Sequence, residues 1–252
     1  MDQYHDKEYK VHVYETGPDG KINLFSILDF LQDIASDHAE KLGFGREDLI
    51  RKNHFWVLSR IYVVVTEWPL WEDTIIVRTW HKGVDKLFGM RDFEIFFPDG
   101  KRIASAASSW LVIDRDSKKI QRLDGVLNSG SRMVDALPRN AGKIDKAAED
   151  GVISPSFRVR LSDLDMNLHT NNTRYLNWVT DTYDLSFSLK NSPFSAEINY
   201  LAESMYGDEI LIQTSPVISA NNLYDHSVYK ISDPKTGKRE ICRIRLAWKE
   251  YK

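Results

Sequence analysis

The feature that most constrains this chain is an internal repeat. Trp71–Thr79 (WEDTIIVRT) and Tyr206–Thr214 (YGDEILIQT) share one pattern at a spacing of 135 residues. The turn glycines Gly100 and Gly237 recur at nearly that spacing, as do Trp110 and Trp248. Upstream, Asn23–Asp33 aligns with Asn171–Asp181 at a spacing of 148, so the first copy carries a small insertion between helix and strands. A pattern that returns at a fixed distance marks a duplicated supersecondary unit.

Periodicity describes what is duplicated. Tyr9–Tyr14 alternates apolar and polar residues as a half-buried strand does, and Gly17-Pro18-Asp19-Gly20 breaks it with turn chemistry. From Asn23 the period changes: Leu24, Ile27, Leu28, Leu31, Ile34, Ala35, His38 and Leu42 form one helical stripe, with Asn23 as N-cap and Gly43 as stop. Strands are expected at 55–66, 73–81, 89–97 and 102–114, with a hairpin turn at Pro98-Asp99-Gly100-Lys101. The second copy reads as a strand at 156–161, a polar loop at 162–171 and a helix at 172–183. Strands follow at 195–204, 208–217, 222–232 and 240–250, with Asp233-Pro234-Lys235-Thr236-Gly237 as a hairpin turn. The stretch between the copies has little apolar periodicity and reads as a linker, with a helical turn at Ile144–Glu149. The expectation is an α+β chain, a tandem (double) hotdog in which each half is a long helix wrapped by an antiparallel sheet. The divisions are 1–122, a linker at 123–153, and 154–252.

Composition narrows the function classes. Lys and Arg number 34 against 37 Asp and Glu, a net charge of −3, which provides no global basic field for nucleic acid. No apolar run approaches the ~18 residues of a membrane span. The polar start of the chain, Met1–Lys10, fits neither a signal nor a transit peptide, so a cytoplasmic location is expected. The single cysteine, Cys242, excludes an intramolecular disulfide and a Cys-based zinc site. Gly-rich phosphate loops, G-x-S-x-G and H-E-x-x-H are absent, and neither a cofactor nor a metal is expected.

One segment stands out. Asp163-Leu164-Asp165-Met166-Asn167-Leu168-His169-Thr170-Asn171-Asn172 places two carboxylates, a histidine and three amides just before an aromatic-rich helix. Asn171 or Asn172 is accounted for as an N-cap. Asp165, Asn167 and His169 are not, and in an extended segment these alternating side chains point the same way. They would converge beside a helix N-terminus, where free N–H groups favour a developing oxyanion. The corresponding turn of the first copy reads Asp19-Gly20-Lys21, so starting the helix does not require the polar set. A second departure is Glu203, which stands where the first copy has Trp68.

These residues carry a family resemblance. D-L-D-M-N-L-H-T-N-N-x-x-Y-x-x-W (Asp163–Trp178) resembles the signature of acyl-ACP thioesterases, and I-N-Y-L-A-E-S (Ile198–Ser204) is similar to that family's Y-R-R-E-C segment. L-Q-D-x-A-x-x-H-A (Leu31–Ala39), W-V-L-S-R (Trp56–Arg60), W-P-L-W-E-D (Trp68–Asp73), Thr79-Trp80 and R-D-F (Arg91–Phe93) agree as well. The resemblance covers nearly the whole chain. It implies a double hotdog that hydrolyses fatty acyl thioesters carried by acyl carrier protein. The N-terminal half would hold the acyl chain, and the C-terminal half would hold catalytic Asp165, Asn167, His169 and Glu203. A homodimer is compatible with it.

Plant members have Cys after that Glu; here it is Ser204, which removes a cysteine nucleophile. Direct attack by water is the expectation, with Glu203 as general base oriented by His169. Asn167 and the helix N–H groups would hold the oxyanion, with Asp165 bracing Asn167 or His169. The inverse assignment, His169 as base polarised by Glu203, is equally open at this level. Competing readings keep the fold as an acyl-CoA thioesterase or a hotdog dehydratase, or make the chain a non-enzymatic acyl-carrier or lipid-binding module. The carrier protein is acidic, and Arg243, Arg245 and Lys249 are candidates for its docking surface or for an ordinary solvated sheet face.

Overall fold

The computed structural model describes residues 4–123, 134–218, 220–233 and 237–250. The chain divides into two compact units, Met1–Ala141 and Gly142–Lys252.

The first unit runs β1 (His5–Lys10), a 3-10 turn at Val13–Glu15, α1 (Leu24–Lys41), α2 (Arg46–Arg51), β2 (His54–Val65), β3 (Thr74–Asp85), β4 (Phe88–Phe96), β5 (Arg102–Asp114) and β6 (Ile120–Gln121). Its strands pair antiparallel in the order β1-β3-β4-β5-β2, with β6 also on β5. The stripe foreseen on α1 is the buried one: Leu24, Ile27, Leu28, Leu31, Ile34, Ala35 and His38 are all inside. Asn23 is the N-cap, and Gly43 at φ 77° takes the left-handed conformation that ends the helix. Val63, Ile75, Val77, Phe93 and Ile95 are buried with them, and each such side chain contributes about 1.5–3 kcal/mol. The strand expected at Tyr9–Tyr14 ends at Lys10 instead. The Glu15 carboxylate accepts the His12 N–H at 2.7 Å, and Glu15 N–H bonds the His12 carbonyl. That closed turn leaves Val13 and Tyr14 exposed, so alternation there did not signify pairing.

The second unit holds β7 (Val152–Ile153), β8 (Phe157–Arg158), a 3-10 turn at Leu161–Asp163, α3 (Asn172–Thr180), α4 (Leu185–Ser188), β9 (Asn191–Tyr200), β10 (Glu209–Pro216), β11 (Leu223–Asp233) and β12 (Gly237–Glu250). The order is β9-β12-β11-β10, antiparallel, with short β7 and β8 on β10. The strand expected at 156–161 shrinks to Phe157–Arg158. Tyr175, Leu176, Trp178 and Val179 are the buried stripe of α3. Cys242, Ile244, Leu246 and Trp248 form a buried face of β12, and burial pushes the Cys242 thiol up from its ordinary value.

Of the expected linker, 124–133 lies outside the described residues, as do 234–236 of the second hairpin turn. The helical turn expected at Ile144–Glu149 does not form. Residues 143–148 have no regular structure, because the sheet's side chains take their backbone groups. Asn199 accepts Ile144 N–H at 2.9 Å and donates to the Gly142 carbonyl, Ser227 accepts Ala147 N–H, and Ser215 accepts Ala148 N–H. A helical turn would have left these buried acceptors unpaired.

The two units share a set of backbone hydrogen bonds around the turn that precedes the long helix. Val11 N–H bonds the Asp73 carbonyl as Val159 bonds Asp208, Ile22 bonds Pro69 as Thr170 bonds Ser204, and Gly17 bonds Lys21 as Asp165 bonds His169. The spacings are those read in the sequence, 148 for the helix side and 135 for the strand side. Duplication is thus visible in the hydrogen bonds as well as in the sequence pattern.

Candidate active site

All four candidate residues lie in the second unit, on two segments clipped together. Thr170 N–H donates to the Ser204 carbonyl at 2.9 Å, and His169 bridges Met205. This brings His169 Nδ1 to 3.6 Å from Glu203 Oε1, within ion-pair reach and slightly longer than a hydrogen bond. His169 is about one quarter exposed and Glu203 about half exposed, so both are open to a substrate.

The segment Asp165–His169 is a tight turn and not the extended run expected. Asp165 N–H donates to the His169 carbonyl at 2.8 Å, Leu168 N–H donates back to the Asp165 carbonyl, and Leu168 sits at φ 65°. The side chains therefore gather through a turn. Asp165 organises it: its carboxylate accepts Asn167 N–H at 2.8 Å and His169 N–H at 3.2 Å, with Asn167 Nδ2 at 3.4 Å. Such a carboxylate-to-backbone turn is a common use of Asp. Asn167 itself is exposed.

The first unit builds the same turn differently. There Gly17 replaces Asp165, and Asp19, at the Asn167 position, bonds its own turn by accepting Lys21 N–H at 3.1 Å. Gly20 at φ 74° occupies the place of Leu168. Placing the carboxylate at 165 thus relieves residue 167 of accepting the turn's backbone N–H, and its exposed amide lies 3.4 Å from Asp165.

The helix terminus contributes fewer donors than expected. Asn171 caps α3 by accepting Thr173 N–H at 3.1 Å, and Arg174 N–H bonds the Asn171 carbonyl. Asp163 is also committed, accepting Arg160 N–H at 2.7 Å. Asp163 and Asp165 thus each hold backbone N–H groups of their own segment. Among the described residues no group of three or more His, Cys, Asp and Glu is placed to hold a metal ion.

Ser204 is fully buried. Its Oγ donates to Thr170 Oγ1 at 2.8 Å and shares a 2.9 Å hydrogen bond with the Tyr175 hydroxyl. The cations considered for docking are tied down in part. Arg243 bonds Glu240 and the Ile144 carbonyl, and Arg245 holds Asp225 with two bonds.

The fold and site define an α+β protein of antiparallel sheet with few helices, in which the His169 imidazole, at the end of a turn braced by Asp165, approaches the Glu203 carboxylate. Comparison with known proteins is specific. The acyl-ACP thioesterase N-terminal domain model matches residues 2–127, and the acyl-ACP thioesterase C-terminal domain model matches 146–250. The chain belongs to the acyl-ACP thioesterase family. Among curated relatives it is 25% identical over 230 residues, 84% of the chain, to an oleoyl-acyl carrier protein thioesterase of Coriandrum sativum. It is 27% identical over 70% of its length to oleoyl-acyl carrier protein thioesterase 2 of Arabidopsis thaliana. It spans 62% and 53% of those relatives' own lengths. Among solved structures, an acyl-ACP thioesterase from Bacteroides thetaiotaomicron superposes with a TM-score of 0.87 at 25% identity, covering 98% of each chain. The 12:0-ACP thioesterase of Umbellularia californica shares the fold with a TM-score of 0.82 at 20% identity, covering 100% of this chain and 99% of that one. Among the described residues no helix is long and apolar enough to cross a membrane.

Proposed function

We propose that this chain hydrolyses fatty acyl thioesters of acyl carrier protein, releasing free fatty acid and the carrier thiol. The observation that carries this reading is the difference between two copies of one turn. Both units build the same backbone, and the second alone replaces Gly17, Asp19, Lys21 and Trp68 with Asp165, Asn167, His169 and Glu203. Membership of the family and the names of the relatives supply the substrate class.

In this reading Glu203, oriented by His169, takes a proton from a water whose oxygen bonds to the thioester carbonyl carbon. The Asn167 amide donates to the oxyanion of the tetrahedral intermediate, and Asp165 keeps the turn that presents it. Collapse breaks the C–S bond, and the proton on Glu203 passes to the departing thiolate. The acyl chain is assigned to the N-terminal unit, against α1, and the architecture to a tandem hotdog.

The test is a panel of acyl-ACPs and acyl-CoAs of graded length, measuring released thiol and free acid. Release from acyl-ACP that falls about 10²–10⁴-fold in both Glu203→Gln and His169→Ala is expected. Near-normal turnover in both variants would remove the residue assignment. Release from acyl-CoA alone would change the carrier.

A further inference from the structure

Three buried hydroxyls lie directly behind the candidate pair. Thr170 follows His169 in sequence, Ser204 follows Glu203, and Tyr175 lies one turn into α3. All three are at least nine-tenths buried, and their oxygens form one chain: Tyr175 to Ser204 at 2.9 Å, Ser204 to Thr170 at 2.8 Å. Either hydroxyl can be the donor of the Tyr175–Ser204 bond. Burial pushes the Tyr175 phenol up, so it keeps its proton.

The fold does not need these hydroxyls. At the repeat positions the first unit has Ile22 for Thr170, Ile27 for Tyr175 and Pro69 for Ser204, all buried. The backbone bond is nevertheless the same, Ile22 N–H to the Pro69 carbonyl at 2.9 Å against 2.9 Å for Thr170 to Ser204. Burying polar groups has a desolvation cost that apolar residues avoid, and the apolar version of this clip demonstrably closes. What hydrogen bonds add over apolar contact is directional constraint. Thr170 and Ser204 are buried, whereas His169 and Glu203, their neighbours in sequence, are part-exposed. A chain that fixes Thr170 and Ser204 inward therefore fixes His169 and Glu203 outward, in the register that gives their 3.6 Å approach.

We propose that Thr170, Ser204 and Tyr175 form a positioning relay that sets the geometry of the His169–Glu203 pair. Ser204 in this account is a positioning residue and not a nucleophile. The inference rests on the functional reading above.

The test uses the full chain with Ser204→Ala, and with a triple variant, Thr170→Val/Ser204→Ala/Tyr175→Phe, that removes all three hydroxyls and makes the trio apolar, as it is in the first unit. Both are expected to fold, judged by thermal unfolding. Both should lose about ten- to a hundredfold in kcat with little change in KM, the scale of a misplaced reacting group. Ser204→Ala should add less than about twofold in a Glu203→Gln background, because residues that act as a unit are non-additive. Ser204→Cys, which keeps a weak donor, should recover part of the loss. Wild-type kcat in Ser204→Ala, a full additional loss in the Glu203→Gln background, or an acyl group trapped on Ser204 each overturns the relay. If the wild-type chain releases no thiol from any acyl thioester, the functional reading is what fails. The relay is then decided by the crystal structure of Ser204→Ala. A His169–Glu203 separation beyond about 4 Å, the usual ion-pair limit, supports it, and an unchanged separation overturns it.

Discussion

Asp165 and Asn167 show how one exchanged carboxylate changes what a turn can do. In the N-terminal unit Asp19 spends its carboxylate on Lys21 N–H. In the C-terminal unit Asp165 takes the backbone donors of residues 167 and 169, and the side chain at 167 no longer has to accept them. A double variant, Asp165→Gly/Asn167→Asp, places the first unit's residues at these two positions. Its turn should close as well as Gly17–Lys21 does, within about 1 kcal/mol of the parent in chemical denaturation. Its turnover should fall by at least about 10²-fold, since the amide donor is lost. A folded variant with parental turnover would show that Asn167 does not act on the oxyanion. The chemistry-bearing residue types were legible in the sequence because the first copy lacked them. Their mode of convergence was not, because alternation in a string of residues does not reveal whether the backbone is extended or turned.

The turn element itself carries strain. Leu168 at φ 65° adopts a conformation that costs an L-residue roughly 1–2 kcal/mol, and the residue is 70% exposed, so little packing offsets it. Gly20 fills the same position in the first unit at φ 74°. Leu168→Gly should therefore leave the melting temperature unchanged or raised, because relief of strain outweighs or matches the greater chain entropy of glycine, roughly 0.5–1 kcal/mol. A clear loss of stability would show that Leu168 packs against something that its exposure does not register. Strained residues concentrate at functional sites, and this one separates Asn167 from His169. The interunit stretch shows the same limit of sequence reading. The charged run after Ala141 carries Ile144 and Ala147, both of which are buried. Its conformation is set by Asn199, Ser215 and Ser227, which lie 55 to 80 residues away in the chain. No local pattern encodes partners at that distance.

At the scale of the whole molecule, buried histidines set a pH limit on stability. His226 is bonded on both ring nitrogens, by Tyr183 Oη and Thr214 Oγ1, and burial lowers it from 6.5 to about 3. His38 is lowered to about 3 by burial, aided by the Arg91 guanidinium, and half-buried His81 to about 4 by burial and the same cation. Each is neutral when folded and binds a proton near pH 6.5 when unfolded. The unfolded state thus takes up protons first as pH falls. Stability should be flat above about pH 7 and decline below 6.5, by up to about 1.4 kcal/mol per pH unit for each histidine. Thermal unfolding followed from pH 7.5 to 5 should show this decline, and His226→Gln should make it shallower. An unchanged slope in that variant would place the linked protons elsewhere.

The sequence by itself determined the duplication, the apolar stripe of α1, the burial of Cys242 and the residue types that distinguish the second copy. These follow from periodicity and from comparing one half with the other, both of which are properties of the string. Tertiary structure decided the rest. It turned residues 165–169 back on themselves, spent Thr173 N–H on a cap and tied Arg243 and Arg245 to nearby carboxylates. It also brought Thr170, Ser204 and Tyr175 into one chain of hydroxyls. The reason is the same in each case: a hydrogen bond requires a partner at the right distance and angle, and only the folded backbone determines which groups have one.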